Sequence, residues 1–317
     1  MQITTSNPES ELHPVIQAIL ERRGYKGPQG LAEFFSWDLK KLSDLSALKD
    51  LNKAAQRVVL AVQQGEKIGI YGDYDVDGTS SCALLYFFFK MLNVSVDLVQ
   101  PSRFVEGYGI HPLNIDAAVK KELKLLITVD CGITAHDAAK RAREVGLDLI
   151  ITDHHKESLE GLPQAYAVVN PNRNDEKGDA SLKSLAGVGV AFCLALEIRK
   201  ILEGQGKPMP SLYPLLQFVA IGTICDLAPM TPVNLKLVRH GLKQMAESCY
   251  SGIRSFFTPE ERAAGKVLSE KCGFYIGPMI NSKGRLEHPE KSLELFNESR
   301  NTRPSPRFPH RPTESQT

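Results

Sequence analysis

The sequence predicts an α/β fold, a parallel β-sheet with helices on both faces, followed by a mainly helical segment. From Lys67 onward, short apolar runs rich in β-branched residues occur at 68–71, 94–99, 125–129, 149–152 and 167–169. Near-continuous apolar runs of this length mark strands buried on both faces, as in parallel sheets. Helix-length stretches at 80–92, 112–121 and 134–145 separate them, the alternation a βαβ topology requires. Acidic residues also recur just past the carboxyl ends of these runs, where open α/β sheets keep their ligands.

Before the sheet, residues 1–65 read as a polar, amphipathic helical lead-in, with helices expected at 14–23, 30–35 and 46–64. The main domain is expected over 66–296. After Ala186 its text is helical, at 190–202, 213–221 and 234–245. Residues 297–317 contain four prolines and a single large apolar residue, Phe308, so they are expected to be a disordered, solvated tail.

The chain has 317 residues, 42% of them hydrophobic and 24% charged, the make-up of a water-soluble globular protein. A formal net charge of +1 rules out a global basic field, so any nucleic-acid partner must be held by a local groove. Six cysteines are scattered without a C-x-x-C pair, which argues against a zinc site or a disulfide framework. No basic-then-apolar leader opens the chain and no apolar run reaches membrane-spanning length, so the expectation is a cytoplasmic protein with no membrane association.

The densest chemistry is Asp73-Tyr74-Asp75-Val76-Asp77-Gly78. Three carboxylates this close repel one another unless a cation lies among them. The same spacing opens an EF-hand loop, but the twelfth position, which needs Glu, is Leu84, and the preceding flank reads as a strand. Asp130 follows the run 125–129, and Asp153, His154 and His155 follow 149–152. Three strands thus deliver acids and imidazoles to one sheet edge. Neighbouring side chains on extended backbone diverge, so His154 and His155 are expected to have separate roles, one as ligand and one toward substrate. Asp226 closes the run 220–225 and reads either as a helix cap or as a further ligand. Carboxylates with one or two imidazoles form a hard donor set suited to Mn²⁺ or Mg²⁺. Two such ions are a known device for in-line displacement at phosphorus.

These segments, with Tyr71-Gly72 before the first, Val129-Asp130-Cys131-Gly132, Asp153-His154-His155 and Gly222-Thr223-Ile224-Cys225-Asp226, resemble the successive motifs of the DHH phosphoesterases. Pro101 to Gly109, Ala186 to Phe192 and Gly277 to Leu286 are similar to the RecJ-like, single-strand-specific 5′→3′ DNA exonucleases of that family. The resemblance runs from about residue 65 to about 295. It implies metal-ligand roles for Asp75, Asp77, Asp130, His154 and Asp226, with Asp130 bridging two ions and Asp73 in or just behind the ligand set. It sets His155 against the scissile phosphate and makes Arg103 and Arg285 phosphate holders, with Asn281 assisting through its amide. The partner it implies is single-stranded DNA or short oligonucleotides, and the product 5′-mononucleotides, in recombination and repair.

Gly187-Val188-Gly189 opens a helix and either offers N–H groups to a phosphate or simply makes a tight turn. Phe192 stands where a dinucleotide fingerprint needs its last glycine. The family's second domain with a Gly-Gly-His stretch and its OB-fold have no counterpart in this text, so the expectation is a truncated chain. Two rival readings stand beside the exonuclease: a phosphodiesterase for short oligonucleotides or other small phosphoesters, and a non-catalytic remnant.

Overall fold

The computed structural model describes residues 12–42, 44–99 and 109–286, without the side chains of Lys41 and of residues 283–286. Five parallel strands form one sheet: β1 (Ile68–Gly72), β2 (Val96–Val99), β3 (Leu125–Val129), β4 (Asp148–Thr152) and β5 (Ala167–Val169), in the order β2-β1-β3-β4-β5. The chain runs from β1 outward to β2 and returns to β3 on the other side of β1. That reversal is a topological switch point, and the crevice beyond it is the natural ligand site.

Helices lie on both faces, as the run pattern predicts. Period-two alternation divides each strand between two cores. Ile68, Ile70, Leu125, Ile127, Val129, Ile150, Ala167 and Val169 face one; Tyr71, Leu126, Leu149, Ile151 and Val168 face the other. After α1 (Pro14–Arg22) and α2 (Gly27–Phe35) come α3 (Leu51–Gln64), α4 (Val76–Met91), α5 (Pro112–Lys120), α6 (His136–Val145), α7 (Gly187–Gly204), α8 (Leu216–Cys225) and α9 (Pro232–Ala246). The first core is covered by α3, α4 and α7, with α8 and α9 stacked behind; the second by α5 and α6. α8 is apolar around its whole circumference because α4 packs on one side and α9 on another. Short helices at Ser251–Ser255 and Pro259–Ala263, a π-helical turn at Cys272–Ile276 and a last helix, Gly277–Leu286, complete the described chain. No helix among the described residues is long and apolar enough to cross a membrane.

Within the lead-in, α1 and α2 close a small cluster of their own around Leu20, Tyr25 and Leu31, whereas α3 belongs to the main core. The helix expected over 46–64 is broken. A 3₁₀ turn at Leu45–Ala47 precedes α3, and Asp50 between them takes φ +62°. Its carboxylate reaches the Val168 N–H at 3.3 Å and Arg173 Nη1 at 3.0 Å, which ties the start of α3 to the sheet edge. The tail expected over 297–317 and the segment carrying Arg103 lie outside the described residues.

Candidate metal centre at the sheet edge

β1 ends at Gly72 and turns through Asp73, Tyr74 and Asp75 into α4. Asp75 Oδ1 accepts the Gly78 N–H at 2.8 Å and caps the helix. Asp77 therefore lies inside the first turn, fully buried. Its Oδ2 and Oδ1 accept the N–H groups of Gly187 and Val188 at 2.6 and 3.0 Å. These are the first amides of α7, so the carboxylate sits at the positive end of a helix dipole. Of the two readings left open for 187–189, a phosphate cradle is thereby ruled out at these two amides, because Asp77 already occupies them.

Asp130 follows β3 with φ +58°, a left-handed conformation that Asp tolerates better than most residues. Its N–H continues the ladder to Thr152 O at 3.0 Å, and the turn behind it is closed by Thr128 Oγ1 donating to Cys131 O at 2.8 Å. β4 ends at Asp153, also buried. Asp153 Oδ1 accepts the N–H groups of His154 and His155 at 2.7 and 3.0 Å and pairs with His155 Nδ1 at 2.7 Å. Its Oδ2 accepts the Ile133 N–H at 2.9 Å. This one carboxylate folds the histidine pair into a turn, so the divergence expected of an extended chain does not occur: the two rings lie 4.5 Å apart. Asn172 Nδ2 donates to His154 O at 2.6 Å and Asn170 Nδ2 to His155 O at 2.9 Å, fixing the pair from the far side.

Asp226 terminates α8, with its N–H on Gly222 O at 2.8 Å. A carboxylate at a helix C-terminus opposes the dipole, so its placement calls for a compensating cation. Its Oδ2 lies 4.0 Å from His154 Nε2, which is also 3.9 Å from Asp77 Oδ2 and 3.2 Å from Asp130 Oδ1. Two sets of ligand atoms gather within 4.8 Å of one another: Asp77, His154 and Asp226, and Asp130, His154 and His155. His154 is common to both. Among the described residues, Asp73 and Asp75 fall in neither set. Asp75 is nonetheless close enough for its charge to raise the carboxyls of Asp73, Asp77, Asp130 and Asp226.

Electrostatics give the arrangement its character. Burial, and then the charge of Asp75, push Asp73 up to about 7 and Asp226 up to about 6. Burial followed by neighbouring carboxylates raises Asp77 and Asp130 well above the usual range. Burial, then the adjacent His155, lowers His154 and favours the neutral imidazole that binds metals. The hydrogen bond to Asp153 is the main cause that raises His155. Burial alone would raise Asp153, but the bonds from His155 and the backbone outweigh it and hold it low. Asp130 Oδ1 and His154 Nε2, both buried, face each other without a hydrogen bond. Orphaned buried donors and acceptors are costly, and a shared cation would satisfy both. The donor set, oxygen-rich with imidazole, fits a hard divalent ion.

Two glycines clear space for this. A Cβ on Gly222 would meet Asp77 Oδ1 at 2.4 Å and Val188 Cγ1 at 2.7 Å, and one on Gly187 would meet Asp130 Oδ1 at 2.5 Å. Gly222→Ala is expected to cost about 1–3 kcal/mol by overpacking and to weaken metal affinity as Asp77 is displaced. Chemical denaturation and Mn²⁺ titration would check the pair of effects. A variant of unchanged stability and affinity would show that the contact gives way freely.

Of the remaining expected site residues, Arg103 is outside the described residues. Arg285 lies in the last turn of the last helix, its side chain likewise outside the description. Asn281 lines a cavity beside Cys225 and Leu227, adjoining the carboxylates rather than among them. Asn170 and Asn172 are additional. Their signal is Val169-Asn170-Pro171-Asn172, polar amides just past the end of a fifth strand at the same edge.

A parallel α/β sheet with a carboxylate–imidazole centre at its switch point defines a domain built for divalent metal. Residues 67–223 match the DHH family, N-terminal domain, and the chain belongs to that family. It is 35% identical over 300 residues to the single-stranded-DNA-specific exonuclease RecJ of Escherichia coli K12, an alignment covering 92% of this chain and 51% of that protein. A crystal structure of exonuclease RecJ bound to manganese superposes with a TM-score of 0.68 at 33% identity, covering 78% of this chain and 61% of that one. RecJ from Thermus thermophilus in complex with Mn²⁺ gives 0.68 at 31% identity, over 91% and 42%. The chain thus spans about half the length of the E. coli relative.

Proposed function

We propose that this chain is a metal-dependent phosphodiesterase, a 5′→3′ exonuclease on single-stranded DNA that releases 5′-mononucleotides. The observation that carries the reading is the gathering of Asp77, Asp130 and Asp226 within 4.0 Å of His154 Nε2, with Asp130 Oδ1 and His154 Nε2 left buried and unsatisfied there. The names and bound ions of the RecJ relatives support it. Asp75, Asp77, Asp130, His154 and Asp226 would hold Mn²⁺ or Mg²⁺, with Asp73 just behind them. When bound, such ions supply an activated water at neutral pH and positive charge beside the phosphorus centre.

The chain's own residues do the rest. The α7 amides fix both oxygens of Asp77. Asp153 holds Nδ1 of His155 and so sets the orientation of a ring whose raised proton affinity suits it to a phosphate oxygen. Arg103 and Arg285 are assigned to phosphate, for which a planar guanidinium gives paired bonds.

The test is hydrolysis of a short 5′-phosphorylated oligonucleotide and of a long single strand by the purified chain. Mn²⁺-dependent release of 5′-mononucleotides from the short oligomer, abolished by EDTA, is the expected result. With a net charge of +1 there is little sequence-independent grip on a long strand, so degradation of the long substrate is expected to be distributive. No turnover of either substrate while Mn²⁺ is measurably bound would refute the reading in favour of a metal-binding remnant.

A further inference from the structure

The π-helical turn Cys272–Ile276 packs against the end of α8 and leaves an unusual surface beside Asp226. Phe274 is 85% exposed and Leu227, the residue after Asp226, is 87% exposed. Leu227 is also held at φ +58°, a conformation costly for a side chain of its kind, and π-turns collect at functional sites. The two residues line one cavity of about 280 Å³ with Ile224, Cys225, Pro278 and Asn281. Cys225 and Leu227 flank Asp226 in the chain, so the cavity lies beside one residue of the ligand sets.

The lining discriminates among occupants. Among the described residues it is largely apolar and includes no lysine or arginine. Its apolar wall includes an aromatic face, while Asn281, Ser269 and Glu270 add hydrogen-bonding groups. A flat apolar body with a polar edge is the shape of a nucleobase, and aromatic stacking with edge hydrogen bonds is how unpaired bases are held. Outside the cavity, Lys271 Nζ stands 4.2 Å over the ring of Tyr275 and is paired with Glu261 at 2.8 Å, so its charge is already matched within the chain.

The geometry points to this cavity as a nucleobase subsite: the base next to the phosphodiester at the metal centre stacks on Phe274 against Leu227, its edge toward Asn281. The inference rests on the phosphodiesterase reading and adds to it a reason for demanding an unpaired strand, since a base within a duplex cannot enter.

A methylphosphonate-linked, 5′-phosphorylated dinucleotide carrying 2-aminopurine resists cleavage and reports stacking by loss of fluorescence. With Mg²⁺ present, quenching on binding is expected for the native chain. Phe274→Ala should weaken binding about tenfold or more, with Phe274→Tyr restoring it and an abasic analogue failing to compete. Unchanged quenching and affinity in Phe274→Ala, or full competition by the abasic analogue, would overturn the subsite and leave the patch as a polypeptide-covered surface. Hydrolysis of a short 5′-phosphorylated oligomer, run in parallel, separates the two readings. Cleavage with base-independent binding defeats only the subsite, whereas base-dependent binding without cleavage defeats only the enzyme.

Discussion

Asp130→Asn is expected to lower Mn²⁺-dependent hydrolysis by more than the ~100-fold typical of residues standing one layer behind a metal, and Asp73→Asn by clearly less. The difference comes from geometry. Asp130 Oδ1 is a buried atom without a hydrogen bond, 3.2 Å from His154 Nε2, and it belongs to a ligand set. Asp73 is also buried, but its Oδ1 accepts the Tyr74 N–H at 2.8 Å and it falls in neither set. Asn keeps the shape of Asp, so Asp130→Asn should fold. It also removes a carboxyl that burial and nearby acids already disfavour ionising, so in EDTA its melting temperature at pH 7 should match or exceed the native one. Isothermal titration with Mn²⁺ and steady-state hydrolysis measure the two consequences. Equal, mild losses at both positions would remove Asp130 from the centre of the site.

How much of this was legible in the sequence depends on the range of the interaction that decides each feature. β3 and β5 begin and end where their apolar runs do, because a strand buried on both faces is spelled by its own residues. β2 starts at Val96 and not at residue 94. Asn93 at φ +57° closes α4, and the Val94 N–H bonds back to Phe89 O at 2.9 Å, so Val94 belongs to the helix cap. Likewise α4 begins at Val76, earlier than the apolar run suggested, because the Asp75 cap recruits polar residues into the first turn. The acids of the centre were visible because they end strands. Their supports were less so: Asp77 finds its partners 110 and 111 residues away at the start of α7, and no local pattern encodes that pairing. The same holds for the clearance that Gly222 gives Asp77, which exists only once α4 and α8 are packed.

The metal-free protein should lose stability as pH rises from about 4 to 7, and added Mn²⁺ should reverse that loss increasingly toward neutral pH. Asp73 is pushed up to about 7, Asp226 to about 6, and Asp77 and Asp130 are raised as well. In the unfolded chain these carboxyls ionise near 4. Between those limits the folded state holds more protons than the unfolded one, so stability falls with rising pH. His155, raised by Asp153, acts in the same direction, its contribution vanishing as pH climbs through its raised value. His154 and Asp153 are lowered and oppose it, their contributions being lost in acid. The four raised acids outweigh those two. A carboxyl moved from 3.8 to about 7, as for Asp73, alone corresponds to on the order of 4 kcal/mol. Metal ions bind the ionised ligands, so their stabilisation grows as the protons leave, reaching about 2.7 kcal/mol at a hundredfold excess over Kd. Thermal melts in EDTA from pH 4.5 to 7.5, repeated with Mn²⁺, should show melting temperatures that fall in the first series and a gap between the two series that widens with pH. A melting temperature that rises across this range in EDTA, or a Mn²⁺ increment independent of pH, would mean that these carboxylates do not share one cation-requiring site.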